Sequence, residues 1–247
     1  MKIGWLVRIA VFLLLAVFLV VPESFAPLLQ PLARYNAPAI YNQGSLLDIT
    51  LNHLGITLLA TLAATVIAVG LAILVTRPFG AEFLPLGRSI ANIGQTFPPV
   101  AVLALAVPAL GFGTEPTLLA LFLYALLPIF ENAIAGLSTI PRDVAEAARG
   151  MGMTGWQRFT KVELPLAFPV MLTGIRIAAV ISLSTATIGS TVAAKTLGEV
   201  ILAGLATNNT AFVLQGGIIV GACAVLINDG LGALEGALKR RTGNAGR

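Results

Sequence analysis

The chain has 247 residues, of which 57% are hydrophobic and only 11% are charged, and its mean hydropathy is +0.93. Because soluble domains carry about 25% charged residues, this composition indicates a membrane protein and excludes an ordinary soluble fold. The formal net charge is +4, but the basic residues are spread over loops and the C-terminal tail without forming a basic face, so the sequence does not predict a nucleic-acid-binding protein.

Six apolar segments are long enough to be membrane-spanning helices, which need about 20 mostly apolar residues. Lipid cannot satisfy an exposed backbone, so the predicted fold class is all-α, a polytopic membrane protein. We treat residues 1–247 as a single transmembrane domain with a short cytoplasmic loop at residues 139–168. The predicted spans are Trp5–Val21, Leu51–Val75, Ile90–Leu110, Thr117–Leu137, Val170–Ala193 and Phe212–Leu234.

The distribution of lysine and arginine predicts the orientation of these spans, since cytoplasmic loops carry an excess of both. With the N-terminus inside, only Arg34 and Lys195 lie outside, and both termini are cytoplasmic. The first segment also fits a cleaved signal peptide, with small residues at Ser24 and Ala26, but we favour a retained helix. With the N-terminus inside, the cytoplasmic basic residues are Lys2, Arg8, Arg77, Arg88, Arg142, Arg149, Arg158, Lys161, Lys239, Arg240, Arg241 and Arg247.

The polar loop between the fourth and fifth spans predicts two short helices joined by a glycine bend. Pro141 suits the first turn of a helix, and Gly150 and Gly152 are expected to end it. Thr154 and Gln157 form a capping-box pattern that starts a second helix, which we expect Pro165 to end.

The spacing in this loop resembles the EAA loop of binding-protein-dependent ABC importer permeases. In that family the loop is a coupling helix that docks into a groove on the ATPase subunit, and the fold is similar to that of methionine-importer permeases. The resemblance implies that the chain is a transport subunit and not an enzyme. The matching residues are Glu146, Ala147, Ala148, Gly152, Val162, Leu164 and Pro165.

Further segments are similar to the osmoprotectant branch of the family, which imports glycine betaine, choline, carnitine or proline betaine. They include residues 94–99, 123–128, 150–154 and 185–188. The implied partners are two ABC ATPase subunits, a second permease subunit, an external solute-binding protein and the lipid bilayer. No cofactor is expected in this chain, because ATP and Mg²⁺ are used by the ATPase. The alternatives are a permease for another small solute, such as an amino acid, and an ATP-independent secondary transporter.

Polar residues inside the spans suggest a translocation path and an ion pair. Glu131 and Arg176 lie at similar predicted depths, so we expect them to pair, the alternative being separate snorkelling of each side chain to the interface. Serine and threonine residues of the fifth span recur at positions i, i+3 and i+7, which places them on one helix face. This face either lines the translocation path or packs closely against another helix. The prolines of the third span are expected to kink or break its helix, as a gate would require. The predicted path residues are Asn92, Gln95, Thr96, Pro98, Pro99, Ser184, Thr187 and Thr191.

The sequence shows no catalytic set and no metal site. His53 is the only histidine, and its position near the start of the second span predicts an interfacial side chain.

Overall fold

The computed structural model describes residues 2–33 and 37–241, with side chains from Trp5 onward. Arg34 and Arg247, used above for the orientation, lie outside the described residues, as does the side chain of Lys2. Every regular element in these two ranges is helical, which confirms the all-α prediction. The α-helices are α1 Lys2–Val20, α2 Ala26–Leu29, α3 Leu46–Val75, α4 Leu84–Thr96, α5 Pro99–Leu110, α6 Thr114–Ser138, α7 Arg142–Gly150, α8 Gly155–Arg158, α9 Leu164–Thr185, α10 Gly198–Ala206 and α11 Thr210–Arg241.

Four helical runs within the described residues are long and apolar enough to cross a membrane. Two bent helix pairs raise the number to six if each pair is one span, and each of the six predicted segments overlaps one of these runs or pairs. The runs are Leu46–Val75, Thr114–Ser138, Gly155–Val192 and Thr210–Arg241, and the pairs are Trp5–Val20 with Pro22–Leu32 and Ala81–Thr96 with Pro99–Leu110.

The third predicted span is two helices, because the backbone leaves helical geometry at Phe97 and Pro98. Their ψ angles are 142° and 143°, so α4 ends at Thr96 and α5 begins at Pro99. The ring of Pro98 disfavours the helical region for the residue before it. The break that the prolines predict is therefore confirmed.

The helices divide into two compact units. The first unit comprises the described parts of Met1–Ala60, together with Pro98–Leu121 and Val180–Ile227. The second comprises Thr61–Phe97, Phe122–Ala179 and the described part of Asn228–Arg247.

Small residues lie beside larger side chains such as Phe130 in the core of the second unit. Ala64, Ala68 and Ala72 recur every four residues along α3 and have no exposed surface. At Gly94 of α4, an added Cβ would lie 2.2 Å from the carbonyl oxygen of Leu123 in α6, so only glycine permits this approach. Such close backbone contacts are typical of helices that pack in a membrane.

In the first unit, hydrogen bonds fasten the segment before α3 to α10 and α11. The backbone nitrogen of Tyr41 donates to Oε1 of Gln215 at 3.1 Å, and Nε2 of Gln215 donates to the carbonyl of Ala39 at 2.8 Å. The Tyr41 hydroxyl donates to Oε1 of Glu199 at 2.7 Å. Burial, and then this bond to Glu199, raise the pKa of the Tyr41 phenol above its ordinary value.

His53 is fully buried in the first unit, so the prediction of an interfacial side chain is wrong. Nε2 lies 2.9 Å from the carbonyl oxygen of Leu183, and Nδ1 accepts from the backbone nitrogen of Leu197 at 3.3 Å. A carbonyl only accepts, so Nε2 carries the proton and the imidazole is neutral. The ring joins α3 to α9 and to the residue before α10, which explains its burial.

We expect Tyr41→Phe to destabilise the chain by about 1 kcal/mol at neutral pH, because it removes the donor to Glu199. The raised pKa means that the phenol ionises more readily in the unfolded chain. The contribution of the hydroxyl is therefore complete below pH about 10 and declines above it. Thermal unfolding of both proteins in detergent, at neutral and at alkaline pH, measures the difference. A gap between the two midpoints that widens above pH about 10 would contradict this assignment.

Candidate coupling loop and translocation path

The first helix of the loop, α7, has its ends where the sequence places them. Pro141 is the N-cap residue, Asp143 lies in the first turn and Arg149 in the last, so both charges complement the helix dipole. Ala148 is buried, whereas Glu146 and Ala147 are exposed. The helix thus presents a polar, unobstructed face that contains the first residues of the motif.

The turn after α7 depends on Gly152. Its φ is +74°, in the left-handed region that favours glycine, and its nitrogen donates to the carbonyl of Arg149 at 2.9 Å. The Thr154 side chain then accepts from the nitrogen of Gln157, while the Gln157 side chain accepts from the nitrogen of Thr154. The predicted glycine bend and capping box are both confirmed.

Pro165 does not end the second helix, so that prediction is wrong. After α8 the chain forms a π-helical turn over Phe159–Glu163, which contains Val162, and Leu164 and Pro165 are the first residues of α9. The nitrogen of Leu164 donates to the carbonyl of Phe159, five residues earlier. This wider turn shifts the backbone hydrogen-bond pattern at the position where Pro165 lacks an N–H donor, so the helix continues.

Glu163, the last residue before α9, forms ion pairs with Arg77, just after α3, and with Arg158 of α8. Nη1 of Arg77 donates to Oε2 of Glu163 at 2.6 Å, and Nε of Arg158 donates to Oε1 at 2.8 Å. The Glu163 side chain is 12% exposed, and the Arg77 guanidinium lies 4.8 Å from the ring centre of Phe159. Sequence reasoning missed this contact, although a glutamate beside the motif's Leu-Pro pair was a visible signal.

The predicted ion pair between Glu131 and Arg176 does not form. Glu131 pairs with Arg88 of α4 at 2.9 Å, with both side chains well exposed. Arg176 pairs with Glu235 of α11 at 3.4 Å, and Lys239 pairs with the same carboxylate at 2.7 Å. Two residues at a similar depth on different helices need not face each other. Here Glu131 of α6 faces α4, and Arg176 of α9 faces α11.

The predicted path residues of α4 lie on exposed surface beside the helix break. Asn92, Gln95 and Thr96 are exposed, and Nε2 of Gln95 donates to the carbonyl of Tyr124 at 3.0 Å. The Tyr124 hydroxyl donates to the carbonyl of Phe97, which the break removes from the helical ladder. Gln95 and Tyr124 therefore stabilise the irregular backbone before Pro98 and Pro99.

The predicted path residues of the fifth span only partly share an α-helix. Ser184 belongs to α9, but Thr187 and Thr191 lie in a 3₁₀ helix over Ala186–Val192. Their hydroxyls donate to carbonyls three residues earlier, at 2.8 and 2.7 Å, which suits this tighter winding. The α-helical spacing that placed all three on one face therefore does not apply. Ser184 and Thr191 are exposed, and Thr187 is half-buried.

Solved structures with a similar fold are transporters. The chain is similar to a chain of the MetNI methionine ABC transporter in an inward-facing conformation, with a TM-score of 0.68 and 23% identity, covering 76% of this chain and 93% of that chain. It is also similar to an amino acid ABC transporter crystallised with histidines, with a TM-score of 0.60 and 19% identity, covering 78% and 92%. At these identities the similarity establishes the fold alone.

Relatives with higher identity are permeases. The osmoprotectant import permease protein OsmY of Salmonella typhimurium is 40% identical over 186 residues, which cover 75% of this chain and 79% of the relative. The carnitine transport permease protein OpuCB of Listeria monocytogenes is 40% identical over 195 residues, covering 78% and 88%. The choline transport system permease protein OpuBB of Bacillus subtilis is 35% identical over 194 residues, covering 78% and 88%.

The helical fold and these similarities define a permease subunit of an ABC importer. The chain belongs to the family of binding-protein-dependent transport system inner membrane components, whose model matches residues 68–243. It is therefore a multi-pass inner-membrane protein that works with an ATPase and a solute-binding protein, and ATP hydrolysis lies in the ATPase partner. The predicted membership in the family of binding-protein-dependent ABC importer permeases is confirmed.

We expect Glu163→Gln to destabilise the chain by about 2 kcal/mol, because it leaves two partly buried arginines without a carboxylate. Glu131→Gln is the matched control. Its pair with Arg88 is exposed, so its loss costs less than about 1 kcal/mol. Thermal unfolding midpoints of the two purified variants in one detergent give the comparison. Equal losses would show that the Glu163 contacts add nothing to the fold.

Proposed function

We propose that this chain is the permease subunit of an importer for compatible solutes of the glycine betaine, choline and carnitine type. The observation that carries the proposal is 35–40% identity, over about three quarters of the chain, to permeases named for osmoprotectant, carnitine and choline transport. The chain is only 23% and 19% identical to the methionine and amino acid transporters, and this identity is too low to favour those solutes.

The proposed topology has both termini in the cytoplasm. It is supported by the excess of lysine and arginine in the loops on one side of the spans. The loop at residues 139–168 then faces the cytoplasm, where ATP is available, and the solute-binding protein approaches from the opposite side. Two ATPase subunits and a second permease subunit, identical or different, complete the importer.

In this proposal the loop at residues 139–168 is the coupling segment that contacts the ATPase. The exposed face of α7, and the open space beside Gly150 and Gly152 among the described residues, support a docking role. The proposed coupling residues are Glu146, Ala147, Ala148, Gly152, Val162, Leu164 and Pro165. This chain binds no cofactor of its own, because ATP and Mg²⁺ are bound by the ATPase partner.

The proposed translocation path is supported by irregular backbone beside exposed polar side chains. Non-helical backbone inside a membrane requires partner groups or a water-filled cavity. The break at Phe97–Pro98 is of this kind, and the 3₁₀ helix Ala186–Val192 departs from α-helical winding. The path and gate residues of the proposal are Asn92, Gln95, Thr96, Pro98, Pro99, Ser184, Thr187 and Thr191.

In the proposed cycle, ATP binding closes the two ATPases, and the coupling segments move with them. The spans then change from an inward-open to an outward-open arrangement. The binding protein delivers the solute from outside, and hydrolysis resets the path. This chain supplies the path and the coupling without any bond chemistry.

The solute class is tested in proteoliposomes that contain this chain with its ATPase and its solute-binding protein. We expect ATP-dependent uptake of labelled glycine betaine, choline or carnitine, competed by the other two but not by methionine or histidine. Vesicles without ATP are the control. Uptake that only an amino acid competes would overturn the solute class, whereas uptake without ATP would overturn the coupling.

The coupling segment is tested with Gly152→Val and its matched control Gly150→Val. Apart from the chain neighbours and the backbone of α7 itself, no atom of the described residues lies within 4 Å of a Cβ added at either glycine, but only Gly152 has a positive φ. Valine at Gly152 therefore brings backbone strain of about 1–2 kcal/mol, while valine at Gly150 does not. We expect affinity purification of Gly152→Val to recover several-fold less ATPase than the control. Equal recovery would remove Gly152 from the docking account.

A further inference from the structure

A polar cavity of about 250 Å³ lies in the second unit, between the end of α3, the end of α6 and the loop helices. We call it the arginine pocket. It is separate from the exposed motif residues Glu146 and Ala147, which do not line it. Its lining residues are Thr76, Arg77, Pro78, Leu137, Ile140, Arg142, Ala145, Arg158 and Glu163.

The charges of the arginine pocket do not balance. Among the described residues that line it, three are arginines and Glu163 carries the only carboxylate. Both oxygens of Glu163 already accept from Arg77 and Arg158. The lining therefore keeps two positive charges beyond those that Glu163 neutralises.

Hydrogen-bond donors of the arginine pocket are also unused. Arg142 is exposed and makes no ion pair or hydrogen bond with any residue that the structure describes. The Nε atom of Arg77 is buried and has no acceptor within the described chain. A buried donor without an acceptor is costly, so a partner from outside the chain is favoured.

The arginine pocket lies at the ends of three apolar runs that are long enough to cross a membrane. Thr76–Pro78 follow Leu46–Val75, Leu137 is next to the last residue of Thr114–Ser138, and Arg158 lies in the first turn of Gly155–Val192. That last run has 38 residues, or about 57 Å of helix, against a hydrocarbon core of about 30 Å. Because charged side chains are costly in the hydrocarbon core, we infer that its charged first turns lie in the headgroup region.

We propose that the arginine pocket binds a phosphate group, carried by the headgroup of an anionic phospholipid or by a soluble phosphate. Guanidinium groups match phosphate oxygens through paired, charge-assisted hydrogen bonds, and basic pockets between spanning helices suit lipid headgroups. The apolar side chains of Leu137 and Ile140 line the same cavity, which fits a ligand that is partly apolar. The inference does not depend on which solute the permease transports.

The test measures ligand binding to the permease purified together with its ATPase. Native mass spectrometry gives the affinity for phosphatidylglycerol and for phosphatidylcholine with the same acyl chains. A second arm adds inorganic phosphate at millimolar concentrations. We expect the anionic lipid to bind more tightly than the zwitterionic one, and phosphate to displace it if the soluble group fits as well.

The variants are Arg142→Gln and its matched control Arg149→Gln. Both residues are exposed and belong to α7, but only Arg142 lines the arginine pocket. The loss of one charge-assisted contact is expected to weaken binding about tenfold for Arg142→Gln and to leave Arg149→Gln as wild type. Neither change touches the ion pairs of Glu163.

Each outcome decides the proposal. Tight lipid binding that Arg142→Gln weakens supports a headgroup site, and phosphate binding without lipid preference supports the soluble source. Equal affinity of the two variants, or wild-type protein that neither prefers phosphatidylglycerol nor binds phosphate, overturns it. The wild-type comparison stands even if a variant is produced poorly.

Discussion

Small residues on the inner faces of the helices set the distances in the second unit, because lipid provides no hydrophobic force that would drive helices together. Ala64, Ala68 and Ala72 keep one face of α3 flat, and Gly94 lets α4 approach the backbone of α6. At such distances the helices gain dispersion contacts along their whole length.

Three carboxylates of the second unit pair with arginines outside their own helical runs. Glu131 joins α6 to α4, Glu235 joins α11 to α9, and Glu163 joins the start of α9 to the end of α3. A carboxylate in such a setting needs a cation close by, because an unpaired charge is costly there. The pairs therefore add specificity to contacts whose energy comes from packing.

The features that the sequence predicts correctly are those decided by residues close together in the chain. Pro98 and Pro99 end a helix through their own rings, and Thr154 with Gln157 caps one through bonds three residues apart. The partners of Glu131 and Arg176, and the burial of His53, depend instead on which face of a helix meets which neighbour. The position of a residue along the chain gives its depth in the membrane, but not the rotation of its helix about the helix axis.

Pro165 shows a second limit, since its effect depends on the turn before it. A regular α-helix would have offered a carbonyl at Lys161 that the proline ring opposes, whereas the π-helical turn displaces that carbonyl. The sequence predicts that Pro165 conflicts with a regular α-helix, but not how the backbone resolves this conflict. Here α8, the π-helical turn and α9 form one continuous helical run.

That continuity determines which part of the loop can move in the proposed cycle. The start of α9 is fixed to α3 by Glu163, and α8 is joined to it through the π-helical turn. The turn at Gly150–Met153 has no side chain packed against its glycines and is held by backbone hydrogen bonds from Gly152 and Met153. In the proposed cycle, a displacement of α7 by the ATPase therefore reaches α8 and α9 only if this turn stays rigid. The left-handed conformation of Gly152, which few other residues adopt, is what gives the turn its single compact geometry.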